Sequence, residues 1–182
     1  MAQAISDSYE YTVNKKLEGT LLLRKILFLS LYVLYVIVIL TIALLTRLAA
    51  PAIAFIPITL WIIVYLTYPY CNIEYEYSMI DGNITFSTIY GSRKRKENFS
   101  MRISSFEKTA PYNDNYKKLV EQYSPEKVYI ALSSEKTPND PYFALFKDKN
   151  GKKCVFYFEA TNRAVRIIKY YNENTVMTTL KI

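Results

Sequence analysis

Between Ile26 and Leu66 the chain is apolar almost without interruption: 41 residues carry one formal charge, Arg47. A helix rises 1.5 Å per residue, so this stretch would reach about 60 Å, roughly twice the 30 Å hydrocarbon core of a bilayer. It predicts two membrane-spanning helices, about 24–45 and 49–68, folded back on each other. Arg47 sets the break, because a charge is costly at the bilayer centre and stable in water, and Pro51 suits the first turn of a new helix. Pro57 falls inside the second helix and is expected to bend it. Ser30, Thr41 and Thr59 can bond to carbonyls of their own helices. Tyr32 and Tyr35 come to the depth of Trp61 in an antiparallel pair, where a buried aromatic layer is expected.

From Asn72 the period drops to two. Ile73, Tyr75, Tyr77 and Met79 take one face, while Asn72, Glu74, Glu76 and Ser78 take the other, which reads as solvated. Asp81-Gly82 is a strong signal for a two-residue hairpin loop into a second strand, Asn83–Tyr90. Further strands are expected at 95–101, 103–108, 127–133, 142–147 and 152–159, with turn chemistry between them such as Asp148-Lys-Asn-Gly151. A short helix is expected over 113–123. A second, amphipathic one is expected over 161–171, with Thr161 as its cap and Ala164, Val165, Ile168 and Tyr171 as its apolar stripe. Residues 175–180 offer one more edge strand. The predicted fold class is an α+β membrane protein: residues 1–23 as an N-terminal segment, 24–70 as the helical hairpin, and 71–182 as a seven-stranded β-barrel or sandwich with a C-terminal helix.

Charge then orients the hairpin. Of 182 residues, 23 are Lys or Arg and 16 are Asp or Glu, a net +7. Lys15, Lys16, Arg24 and Lys25 precede the first span, Arg47 alone lies between the spans, and Arg93-Lys-Arg-Lys96 follows soon after the second. The rule that cytoplasmic flanks are basic puts both termini in the cytoplasm of a multi-pass cell-membrane protein. The start of the chain lacks the basic and apolar regions of a secretory signal. Trp61, Tyr65, Tyr68 and Tyr70 cluster at the exit of the second span, where amphipathic rings favour the headgroup level. Cys71, at the same boundary, reads either as a small buried residue or as a site for reversible acylation.

Seven short strands and one closing helix behind a pair of membrane helices resemble the bacterial pleckstrin-homology-like domains that flank membrane spans, and small two-helix membrane proteins of Firmicutes. The resemblance covers residues 9–171 and includes the phrase Tyr75-Glu-Tyr-Ser-Met-Ile-Asp-Gly-Asn-Ile84. It implies a bacterial binding or assembly module without catalytic activity. Eukaryotic members of that fold grip inositol phosphates around a long first hairpin loop. That property does not carry over here, where the loop is just Asp81-Gly82.

The residues agree with a non-enzymatic reading. There is no histidine and there are two cysteines, Cys71 and Cys154, so neither a metal nor a cofactor site is expected. Asn83-Ile-Thr85 and Asn98-Phe-Ser100 match the glycosylation pattern, which a cytoplasmic domain would not use. Nucleic acid is not expected as a partner, because outside 93–96 the basic residues are scattered among acids. The second strand runs back toward the membrane, which places Arg93, Lys94, Arg95 and Lys96 near the headgroups. Each would contribute about 1 kcal/mol against anionic lipid; the run reads equally as an ordinary solvated edge whose charges prevent strand aggregation. The expected partners are therefore the bilayer, anionic headgroups, and a protein or a second copy of the chain. The alternative class is a small pore or transporter accessory that oligomerises through the hairpin.

Overall fold

The computed structural model describes residues 8–46 and 49–177. They form two units. One comprises residues 16–73 and 90–94; the other comprises 8–15, 74–89 and 95–177.

The first unit is built on α1 (Gly19–Leu45) and α2 (Ala49–Thr67), followed by a 3₁₀ turn at Tyr68–Cys71. Both helices are long and apolar enough to cross a membrane. α1 begins five residues before the expected Arg24, because Thr20-Leu-Leu-Leu23 continues the apolar run upstream of the two cations. Arg47, the expected break, lies outside the described residues, as does the start of the chain. α2 runs on through Pro57. The hydroxyls of Ser30, Thr41 and Thr59 donate to Leu27, Ile37 and Phe55 carbonyls at 2.8–2.9 Å. The aromatic layer differs from expectation, because Trp61 is 66% exposed. The tyrosines instead meet threonines on the facing helix: Tyr35 Oη bonds Thr59 Oγ1 at 2.6 Å, and Tyr32 Oη bonds Thr67 Oγ1. With a threonine in reach, each phenol satisfies its hydroxyl locally, and Trp61 turns its larger ring outward.

The second unit has eight described strands in two four-stranded sheets, where seven strands in a barrel or sandwich were expected. The additional strand is β1 (Ser8–Asn14), inside the expected N-terminal segment 1–23. It pairs antiparallel with β2 (Ile73–Ile80), from Ser8 opposite Ile80 to Asn14 opposite Glu74. Its signal was weak: Tyr9, Tyr11 and Val13 alternate correctly but over seven residues only. β3 (Asn83–Tyr90) and β4 (Lys94–Arg102) complete the sheet in the order β1-β2-β3-β4. Asp81 and Gly82 both have positive φ, 49° and 74°, as a tight hairpin loop between right-twisted strands requires.

The second sheet has the order β5-β7-β8-β6. The strand expected over 103–108 is divided: Ile103–Ser105 form a 3₁₀ turn, and β5 (Phe106–Pro111) follows it. β6 (Lys127–Ala131) lies parallel to β8 (Lys153–Glu159), while β7 (Pro141–Lys147) pairs antiparallel with β8 and with β5. Between β5 and β6 runs α3 (Asp114–Tyr123), with the side chain of Asn113 accepting from Tyr116 N–H. α4 (Asn162–Tyr171) is capped by Thr161, which accepts from Ala164 N–H at 3.2 Å. Val176 bridges to Thr109 in parallel, and Met177 N–H donates to the Thr109 carbonyl at 2.8 Å. Of the edge strand expected at 175–180, Thr175 instead ends a 3₁₀ turn, Val176 makes one isolated bridge, and 178–180 lie outside the described residues.

An aromatic core joins the sheets. Phe156 lies 4.8 Å from Phe86, 5.1 Å from Phe158 and 5.2 Å from Phe99, centroid to centroid, and α4 closes the cluster with Ala164, Val165, Ile167 and Ile168. A smaller cluster on the far face of the second sheet packs Val120 of α3 against Phe143, Leu145 and Val155.

Candidate functional site: the foot of the helical pair

The sequence run Arg93-Lys-Arg-Lys96 is divided between the units. Tyr90–Lys94 belong with the helices, and Arg95 and Lys96 with the sheets. In the helical unit, Gly91 makes the turn possible. Its φ is +57°, and a Cβ there would lie 2.6 Å from the Cα of Pro69, so a side chain would collide with the backbone where α2 ends. Gly91 N–H donates to the Asn72 carbonyl at 2.8 Å, which fixes the turn beside the 3₁₀ segment. Held there, the Arg93 guanidinium sits 4.2 Å from the Tyr65 ring centroid and donates to the Tyr65 carbonyl at 3.3 Å. Cation–π attraction and a charge-assisted bond to a helix-end carbonyl act together. On the other helix, Arg24 donates to the Tyr70 carbonyl at 3.5 Å, and the Tyr70 ring packs 5.9 Å from that of Tyr90. The foot of the helical pair thus gathers Arg24, Arg93, Tyr65, Tyr70 and Tyr90. Trp61 packs against Tyr65 with its ring tilted, centroids 5.5 Å apart, one turn earlier in α2, and Tyr68 is exposed on the 3₁₀ turn.

Arg95 has a different task. It pairs with the carboxylate of Glu76, which is 6% exposed, so the face carrying Glu74 and Glu76 is not the solvated one the alternation suggested. The reason is β1: Thr12 lies opposite Glu76, and the added strand covers that flank of β2. Burial holds the Glu76 carboxyl above its ordinary value, and Glu10 adds to this, against the pull of Arg95. Lys94 and Lys96 are exposed. Sequence reasoning missed Arg24, Tyr90 and Gly91 as parts of the foot. The only signal was a glycine after a strand that ends in tyrosine.

A second polar cluster lies inside the sheet unit. Glu159 is buried on β8, and its Oε1 accepts from Ser133 N–H at 2.9 Å, Ser133 Oγ–H at 2.5 Å and Asn139 N–H at 3.1 Å, which ties down the loop between β6 and β7. Tyr77 donates to the Glu159 carbonyl at 2.7 Å, and its phenol is held far above the ordinary range by burial. Tyr9 of β1 bonds Thr161 at 2.5 Å, while Arg163 lies over the Tyr9 ring and donates to the Ser8 carbonyl. These bonds lock the first strand to the last helix. Each donor already has its acceptor in the fold, as structural groups do. Among the described residues no cluster of three or more metal-ligating side chains occurs.

The family model described as Bacterial PH-like domain (DUF6106) matches residues 6–178. The chain belongs to this bacterial PH-like family. The match begins before β1 and extends past α4, so the PH-like region takes in the strand before the helices as well as those after them. Comparisons with curated proteins and with solved structures found no match.

Proposed function

We propose that this chain is a two-span membrane protein with both ends in the cytoplasm, whose PH-like unit works at the inner leaflet as an anionic-lipid-contact and protein-interaction module. The observation that carries the topology is the pairing of β1 with β2. The chain leaves one strand of a sheet, passes through α1 and α2, and returns to the neighbouring strand, with Asn14 opposite Glu74. Both feet of the hairpin therefore belong on one side of any membrane, and the number of crossings is even. Backbone groups in hydrocarbon must find partners within their own segment, which the helical form of α1 and α2 provides for most of them, Pro57 interrupting the series in α2.

The foot supports the lipid contact. Arg24 and Arg93 bond carbonyls among aromatic rings that suit the headgroup level, Lys25 and Lys94 follow them in the chain, and each cation there is worth about 1 kcal/mol against anionic lipid. Arg95 contributes less than the bare run suggested, because Glu76 neutralises it. PH-like domains are generally non-catalytic, and no reaction is assigned to this one.

The test uses the full chain reconstituted in vesicles of zwitterionic lipid with or without phosphatidylglycerol. Amide exchange in 90–96 should slow in the anionic vesicles only, and Lys94→Ser with Lys25→Ser should abolish the difference. Equal exchange in both compositions would remove the lipid contact. The rival pore reading expects ion flux across the same vesicles, and flux would favour it.

A further inference from the structure

Among the described residues the PH-like unit has four sheet edges, and β5, β4 and the start of β1 each carry a contact or a run of charge. β5 is covered by Val176 and Met177. β4 begins Lys94-Arg-Lys-Glu97, a row of charges that discourages pairing with another strand. At the start of β1 the Ser8 carbonyl is taken by Arg163. β6 differs. After Lys127 it reads Val-Tyr-Ile-Ala131, with no proline and no further charge, and beyond β8 no described strand pairs with it.

Both faces of this strand are prepared for apolar contact. On one, Val128 and Ile130 are 54% and 37% exposed; they stand opposite Val155 and Tyr157 on the face that α3 covers over β7 and β8 but leaves open over β6. On the other, Tyr129 stacks with Phe146 at 6.1 Å and meets Phe99 at 5.0 Å. These three rings line a cavity of about 490 Å³ between the free edges of β4 and β6, within the size range of ligand sites. Its rim carries Lys127, Lys147 and Lys149 against Glu97 and Asp148; Lys127 pairs with Asp148 and Lys147 with Glu107, each at 3.2 Å, and Lys149 stands outside these two pairs. Asp148 is already engaged: it accepts from Asn150 N–H, Lys152 N–H and Lys127 Nζ, bonds that hold its carboxyl below the usual range.

We propose that β6 receives an extended, acid-flanked peptide segment of a partner protein by strand addition, seated between β6 and β4. Its backbone pairs with the free edge of β6. Alternate side chains enter the Phe99-Tyr129-Phe146 groove and cover Val128 and Ile130, and acidic flanks meet Lys149 on the rim and Lys96 on β4, both exposed. A second copy presenting the same cationic rim is the less complementary occupant. This site is independent of the lipid contact proposed above.

The experiment is selection of a displayed library of random ten-residue peptides on the full chain in detergent, repeated on the Val128→Lys, Ile130→Lys double variant. Both positions are exposed, and an unchanged thermal midpoint checks that the variant is folded. The expected result is enrichment of proline-free sequences with apolar residues at every second position and Asp or Glu at the ends. The synthesised consensus should slow amide exchange in 127–131 and bind the double variant at least about tenfold more weakly. No enrichment, enrichment of helix-spaced or basic sequences, or equal affinity for both proteins would overturn the proposal. So would β6-dependent dimerisation of the chain alone, which would assign the edge to a second copy.

Discussion

The two units use the same kinds of side chain in opposite ways. In the helical pair leucine and isoleucine point outward, Leu23 for example being 67% exposed, whereas Phe156, Ile168 and Val155 of the PH-like unit are sealed from solvent. A residue of one type has the same transfer free energy in both places, about 1.5–3 kcal/mol for a large apolar side chain. The difference lies in what surrounds it. The PH-like unit supplies its own apolar phase in an aromatic core, while the helical pair leaves its apolar side chains exposed, the surface that the proposed membrane insertion would cover.

That contrast is broken most directly by truncation. Phe156→Ala should cost about 3–5 kcal/mol of PH-like-unit stability, since it opens a cavity among rings on both sheets. Leu23→Ala should leave the same transition unchanged. Chemical denaturation of the full chain in detergent, followed by near-ultraviolet circular dichroism, compares the two. Comparable losses would mean that the helices share the core's cooperative unit.

Glu159→Ala sharpens the same comparison from the polar side. It strands the Ser133 and Asn139 N–H groups that the carboxylate now satisfies, with an expected loss of about 1–3 kcal/mol in the same assay. The counterpart in the helical pair is smaller. Tyr35→Phe removes one bond to Thr59 and should weaken the association of α1 with α2 by about 0.6 kcal/mol, as measured by trapping the separated helices in bicelles.

The smallest effect is a pH dependence. Because the folded state holds the proton of Glu76 more tightly than the unfolded chain does, its contribution is full below the ordinary value of 4.5 and is lost as pH rises through the raised one. Between those limits wild type should lose stability relative to Glu76→Gln, and parallel pH profiles would contradict this.

Much of this contrast was legible in the sequence, because an unbroken apolar run and a period-two alternation are both local signals. Helix ends near Leu45 and Thr67, the Asp81-Gly82 turn and the Thr161 cap follow from single residues with strong preferences. What stayed hidden was non-local. β1 is separated from its partner strand by the entire helical hairpin, and the crossover that places β6 parallel to β8 depends on α3 rather than on any turn residue. The same blindness misjudged Glu76, whose covering strand lies more than sixty positions upstream, and read four free cations where Arg93 and Arg95 have partners. Of the foot, Trp61, Tyr65, Tyr68 and Tyr70 were visible as an aromatic cluster and Arg93 as part of a basic run; the Gly91–Pro69 packing that brings Arg93 to Tyr65 was not.

The most direct test of the central claim labels two positions from opposite sides of native membrane vesicles. In a chain carrying Cys71→Ala and Cys154→Ala, single cysteines replace Thr46, at the end of α1, and Lys149, on the β7–β8 turn; both positions are exposed. A membrane-impermeant maleimide should reach Lys149→Cys only in inside-out vesicles and Thr46→Cys only in right-side-out ones. Labelling of both positions from the same side, or release of the chain by alkaline carbonate without detergent, would contradict the account.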